Sequence, residues 1–340
     1  MPYKLENKVV IAVSTSSLFD MSESDKVYKE KGLEEYVAYQ EEHMEECLPK
    51  GVAFPFIKRI LRINDFYRES KPFEVVLFSK DSPVTGMRAF QSIKQYGLDI
   101  TRAAFTSGRP NFKYLPAFNS TLYISSNPKE TVKALQQGYI AGTIVDSGIE
   151  DDESDFELRI ALDFDGIIAG FSSENVYQKS GIEHYMEHEQ EKAKIPLEQG
   201  PLMDFLRKLS FYQRLQKRIS NRESFTPMIR LSIVTSRNAP ADTRVLTTLK
   251  KYDVEVDELF LMGGVEKSLV LNIMKPHLFI DDQASHFEHL IKVPAIHVPY
   301  VGGSIDGSQE VKTVVQQSEA VASPNEIITP ALEKDDIKKD

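Results

Sequence analysis

The chain repeats itself, and the repeat limits its fold more than any other feature. Residues 27–36 read VYKEKGLEEY and residues 176–185 read VYQKSGIEHY, with Val, Tyr, Gly, Glu and Tyr shared. Average residue usage gives about one match or fewer in so short a window. The match continues without a gap: Gly51 corresponds to Gly200, Phe56 to Phe205, Ile57 to Leu206 and Ile60 to Leu209. Leu202, Phe205, Leu206 and Leu209 have the spacing of one apolar helix face. Further on, the second copy has gained a few residues. PVTGMRAFQSIKQYGLDI (83–100) then lies over APADTRVLTTLKKYDVEV (239–256), and LYISSNP (122–128) over LFIDDQA (278–284). VVIAVSTSS (9–17) opens the first copy where LRIALDFDG (158–166) opens the second. Residues 1–150 and 151–305 therefore follow one plan.

Each copy alternates short apolar runs with helical patterns. KVVIAV, FEVVLF and LYIS recur as LRIAL, IRLSIV and LFID. Runs of this length between polar turns read as buried parallel strands, and strand–helix–strand order gives a doubly wound α/β fold. Ligands of such sheets sit at the carboxyl ends of strands, where the strand order reverses. The segment at about 170–228 reads as an insert over those ends. The polar stretch 306–340 reads as a loosely attached tail. The acidic run EDDESD (150–155) reads as a solvated linker between the copies.

The copies differ most at the strand ends. Asp163-Phe164-Asp165-Gly166 replaces Ser14-Thr15-Ser16-Ser17, and Asp281-Asp282 replaces Ser125-Ser126. Four carboxylates at one sheet edge repel one another unless a cation sits among them, and a hard divalent ion such as Mg2+ suits oxygen donors beside a phosphate. The second copy adds Thr235 and Ser236 after its middle strand and Lys267 after Gly263-Gly264. A hydroxyl, a lysine and a metal are what the oxygens of a phosphoryl group need, and a remaining aspartate can attack phosphorus. Sequence alone does not separate Thr235 from Ser236, nor Asp281 from Asp282. Arg237 suits either a substrate phosphate or a surface ion pair. Gln283 and His286 suit either the site or a helix cap, and His184 and His188 read as solvated surface.

LDFDG, IVTS, Lys267 and FIDD occur in the order of the four motifs of the haloacid dehalogenase (HAD) superfamily, which the chain resembles. It resembles most the cytosolic type I 5′-nucleotidases, through VAYQEEH (37–43), PKGVAFPF (49–56), YGLDITRAAFTSG (96–108), VTSRNAPADTRV (234–245), FIDDQASH (279–286) and HVPY (297–300). The resemblance implies HAD-like sheets with helical cap-like inserts, and Mg2+-dependent hydrolysis of nucleoside 5′-monophosphates of the AMP type. Asp163 would be the nucleophile and Asp165 the acid and base, its pKa raised by acidic surroundings. Thr235, Ser236 and Lys267 would hold the phosphate, and Arg237 and Asn238 the substrate. Asp163, Asp165, Asp281 and Asp282 would serve the metal. The first copy lacks every one of those carboxylates. A nucleotide effector and a homo-oligomer are compatible with the family. Phe164, standing between the two aspartates where the family has glycine, and Ala169-Gly170, an apparent insertion, alter the lip of the site. They keep a sugar-phosphate phosphatase open as an alternative, with a non-catalytic nucleotide binder as a third.

A net charge of −10 argues against a nucleic-acid backbone as the main partner, because phosphate chains need a basic face. The sole cysteine, Cys47, forbids an internal disulfide and fits a reducing compartment. The apolar run near the start is too short for a signal-peptide core or a membrane span. The expected location is the cytoplasm.

Overall fold

Strand β1 (Val9–Ser14) is buried along its whole length, as an apolar run in the middle of a parallel sheet must be. The structure, a computed structural model, describes residues 4–5, 8–67, 70–146, 148–170, 184–220 and 225–300. The other strands are β2 (Phe73–Ser79), β3 (Arg102–Phe105), β4 (Leu122–Ser125), β5 (Ala141–Val145), β6 (Leu158–Leu162), β7 (Ile229–Thr235), β8 (Glu258–Leu261), β9 (Leu278–Asp281) and β10 (Ala295–His297). The helices used below are α1 (Thr15–Leu18), α2 (Ser22–Lys31), α3 (Leu33–Glu42), α4 (Phe54–Arg62), α5 (Met87–Gln95), α6 (Pro128–Gln136), α7 (Met203–Ser220), α8 (Asp242–Lys251) and α9 (Lys267–Met274). Residues 184–191 are also helical. Among the described residues no helix is long and apolar enough to cross a membrane.

The strands form a doubly wound α/β sheet in the order β3-β2-β1-β4-β5-β10-β9-β6-β7-β8. Read from its two ends, the order is the same: β3-β2-β1-β4-β5 and β8-β7-β6-β9-β10. The register repeats as well. Ile11 faces Leu122 as Ile160 faces Leu278, and Val9 faces Phe73 as Leu158 faces Ile229. The sequence suggests two sheets, but the strands join into one. β10 pairs antiparallel with β5, Ala295 opposite Val145 and His297 opposite Thr143, whereas every other pairing is parallel. This seam satisfies backbone groups that two separate edges would leave unpaired. It also reverses one half against the other, so the carboxyl ends of β1 and β6 lie at opposite edges of the sheet.

Alternate residues of each strand feed opposite faces. On one face, Ile11, Phe56, Ile57, Ile160, Phe205 and Leu206 belong to a single core drawn from both halves. On the other, each half keeps its own cluster, around Phe78 and Tyr123 or around Val234 and Phe279. The later part of the expected insert is not a cap: α7 buries Met203, Phe205, Leu206 and Leu209 in the shared core. Residues 171–183 and the tail 306–340 lie outside the described residues. The acidic run is not solvated throughout. The Asp151 side chain is only 5% exposed and accepts hydrogen bonds from Arg59 of α4 (2.8 Å) and from Lys50 just before that helix (3.2 Å).

Candidate active site

The strand order reverses between β6 and β9, and there two distant parts of the chain come together. The Asp163 N–H donates to the Ile280 carbonyl (2.9 Å), so the residue after β6 sits beside the end of β9. Asp281, the last residue of β9, is fully buried. Lys267 opens α9 and is itself buried. Its Nζ lies 2.8 Å from Asp163 Oδ1 and 2.8 Å from Asp281 Oδ2. His286 Nδ1 stands 2.8 Å from Asp281 Oδ2, and the Gln283 N–H donates to Asp281 Oδ1 (2.8 Å). The sequence left Gln283 and His286 undecided: the His286 ring joins this cluster, whereas Gln283 offers only its backbone N–H and stands at the N-cap of the short helical turn Ala284–Phe287.

Thr235 ends β7 and is buried, and its hydroxyl oxygen accepts the Arg237 N–H (3.2 Å). Ser236, next to it, is exposed. Asn238 is half-buried against the Gly263-Gly264 turn, where a side chain at Gly263 would approach its Cβ to 3.3 Å. Both glycines have positive φ, which lets the chain turn tightly into Lys267.

Asp165 differs from the sequence expectation. Its carboxylate is held by a guanidinium rather than crowded by acids: Arg237 Nε and Nη2 each donate to it at 2.7 Å. Arg237 Nη1 donates to Glu189 (2.5 Å), and Arg244 Nη1 to the other oxygen of Glu189 (2.6 Å). The Arg237 pairs are buried, not surface pairs, and all three guanidinium nitrogens serve carboxylates of the chain. Phe164, the residue that departs from the family motif, lies fully buried with its ring 5.2 Å from the guanidinium. Sequence reasoning missed Glu189. Its signal was an acid that pattern alone would place on a solvated helix. Of the two nearby histidines, His184 is exposed, and His188 stands 3.2 Å from Glu189.

The electrostatics follow from burial. Burial pushes Asp163 up to about 7, with Lys267 opposing and Asp281 adding. Burial, then Asp281 and Asp163, push Asp282 up to about 9. Burial would also raise Asp281, but Lys267 and His286 outweigh it and hold it below the usual carboxylate range. Burial works against the charge on Lys267, but Asp163 and Asp281 outweigh it and raise the lysine. Two carboxylates thus share one buried ammonium, and a third acid, Asp282, lies beside them.

That imbalance tests the site for a metal. Asp163, Asp281 and His286 each offer a ligand atom within 4.8 Å of the others. Asp282 Oδ1 is buried with no hydrogen-bond partner among the described residues. An orphaned carboxylate oxygen beside two converging carboxylates fits a hard divalent cation.

A family model described as 5′-nucleotidase matches residues 1–304. The chain is 33% identical over 294 residues to human cytosolic 5′-nucleotidase 1B, covering 84% of this chain and 48% of that protein, so it spans about half that relative's length. Among solved structures it overlaps the HAD domain of the effector Lem4 from Legionella pneumophila, at 15% identity and a TM-score of 0.25, over 49% of this chain and 98% of that one. It also overlaps the S. aureus MnaA–UDP structure, at 11% identity and a TM-score of 0.19, over 92% of this chain and 87% of that one. Overlaps that slight carry no argument. The match along residues 1–304 does, and by it the chain belongs to the 5′-nucleotidase family.

Proposed function

We propose that the chain hydrolyses nucleoside 5′-monophosphates, AMP among them, to nucleoside and phosphate with the help of Mg2+. One observation carries the reading: in a member of the 5′-nucleotidase family, Asp163, Lys267 and Asp281 converge, buried, at the point where the strand order reverses. Asp163 attacks phosphorus, the bond to the ribose 5′-oxygen breaks, and an aspartyl-phosphate forms. Asp165, once freed from Arg237 and protonated from solvent, gives that proton to the departing oxygen and later takes one from the water that cleaves the intermediate. Its two hydrogen bonds with Arg237 have to loosen as substrate enters. Thr235 and Lys267 hold the phosphoryl oxygens, Ser236 offers a second hydroxyl at the rim, and Arg237 and Asn238 face the rest of the substrate. Asp163, Asp281 and Asp282, with the carbonyl of Asp165, would hold Mg2+. When bound, the ion neutralises their charge and stabilises the negative charge on the transferring group. The single cysteine and the cytosolic relative support a cytoplasmic setting.

The test is phosphate release from purine and pyrimidine 5′-monophosphates and a sugar phosphate, with Mg2+ or a chelator. Turnover should require the metal and favour the nucleotides. Asp163→Asn should lower kcat by about a thousandfold or more. Near-normal turnover in that variant would sink the mechanism, and preference for the sugar phosphate would sink the substrate assignment.

A further inference from the structure

The first half carries a strand-end cavity of its own, at the sheet edge opposite the Asp163 cluster. Its volume is about 430 Å3, within the range of small-molecule sites, about 300–1,000 Å3. The positions that build the Asp163 cluster also build this floor, with different chemistry. Ser14 and Ser16 stand in place of Asp163 and Asp165, Ser125 and Ser126 in place of Asp281 and Asp282, and Asn111 in place of Lys267. The serines bond to one another: Ser16 Oγ lies 2.5 Å from Ser126 Oγ, and Ser14 Oγ 2.8 Å from Ser17 Oγ. This floor is polar but uncharged.

The wall changes sign. Where the second half has Arg237, the first has Asp81, whose carboxylate accepts hydrogen bonds from Tyr36 (2.7 Å) and Ser79 (2.7 Å). Lys80 is taken by Glu130 at 3.0 Å. Around the cavity three carboxylates, Asp25, Asp81 and Glu130, outnumber two lysines, Lys29 and Lys80. A phosphate would meet net negative charge, without the metal-binding acids or the lysine that serve it in the other half. The remaining wall is apolar or aromatic, with Tyr28, Leu33, Val37 and Phe78.

An independent observation points to a ligand. Thr15 lines the cavity and is 5% exposed, and its hydroxyl has no hydrogen-bond partner among the described residues. A buried hydroxyl left unpaired in a native fold calls for an explanation, and a bound polar group supplies one.

We propose that this cavity binds an uncharged nucleoside. The flat base lies against the apolar and aromatic wall, and the hydroxyl and amino hydrogens are taken by Asp81, Thr15 and the serine oxygens. An acceptor-rich, acidic wall favours a ligand rich in donors and without phosphate. The assignment does not depend on the reaction proposed for the other half.

Calorimetry on the full chain without added metal tests it, with adenosine, ribose and inorganic phosphate as separate titrants. Adenosine should bind with Kd below about 1 mM and ribose should not, and any phosphate uptake, which belongs to the Lys267 site, should be the same in the cavity variants. Asp81→Asn keeps the shape but removes the charge, and should weaken adenosine about tenfold. Asp81 also holds Tyr36 and Ser79, so Thr15→Val decides if the first variant loses stability. That change removes only an unpaired hydroxyl, leaves Tm unchanged or higher, and should weaken adenosine about fivefold. No adenosine binding at about 1 mM, or an affinity unchanged in the deciding variant, overturns the proposal. So does phosphate binding that Thr15→Val weakens.

Discussion

At the scale of single residues, the buried charges around Glu189 are the most consequential feature that pattern did not reveal. One carboxylate, fully buried, accepts from two guanidiniums. The first half shows what happens when one of those cations is absent. Gln40 stands in place of Glu189 and Asp81 in place of Arg237, and Arg88, the counterpart of Arg244, donates to the neutral Gln40 at 3.2 Å. A neutral partner suffices for one arginine. It does not suffice for two, and removing one member of a buried ion pair costs about 3–5 kcal/mol because the others stay buried and uncompensated. Glu189→Gln should therefore destabilise the fold by about 3 kcal/mol in denaturant titration. A change below about 0.5 kcal/mol would mean that Glu189 is no more than a surface charge. Asp163, Asp165 and the Asp281-Asp282 pair were legible in sequence because they stand at strand ends opposite serines. Glu189 was not, because nothing local distinguishes a carboxylate facing solvent from one facing two arginines.

At the scale of elements, the conserved plan of the two halves explains why Gly51 and Gly200 correspond. Each is a close approach between the start of a crossover helix and the turn after a central strand. A Cβ at Gly200 would lie 2.6 Å from the Ile167 carbonyl oxygen and 2.7 Å from that of Ala169. One at Gly51 would lie 2.8 Å from backbone atoms of Leu18 and Phe19. Ala169, which looks like an insertion in sequence, is fully buried here, with a bridge to Gln199 on one side and to Asp165 on the other. Gly200→Ala should push this turn away from α7 and shift Asp165 with it. The expected result is a loss of about 2 kcal/mol in stability together with a lower kcat. An unchanged kcat with lowered stability would show that the turn does not position Asp165. The helix face of Leu202, Phe205, Leu206 and Leu209 was readable from its spacing. Its assignment to an insert was not correct, since periodicity marks an apolar face without saying what covers it.

At the scale of the whole molecule, the acids of the candidate site weigh on global stability. Asp163 and Asp282 are raised from 3.8 to about 7 and about 9. The folded chain then holds protons that the unfolded chain releases. Their contribution is fully present below the unfolded pKa and is lost as pH climbs through the folded values. Asp281 has the opposite sign, and its contribution is lost only as pH falls into its own lower range. A divalent cation competes with those protons, so the rise in Tm on adding Mg2+ should be larger at about pH 8.5 than at about pH 6, read by differential scanning calorimetry. An equal rise at both would remove Asp163 and Asp282 from the metal site. Across the molecule, the sequence by itself determined the duplicated plan, the buried parallel strands and the Asp-for-Ser exchange at their ends. Those are local patterns of period and position, set by which side chains tolerate burial. Only the tertiary structure decided that the halves share one sheet, that β5 and β10 meet antiparallel, and that Arg237 joins Asp165 to Glu189. Edge pairing and buried charge partners depend on which distant segments come to lie together, and no window of sequence contains that information.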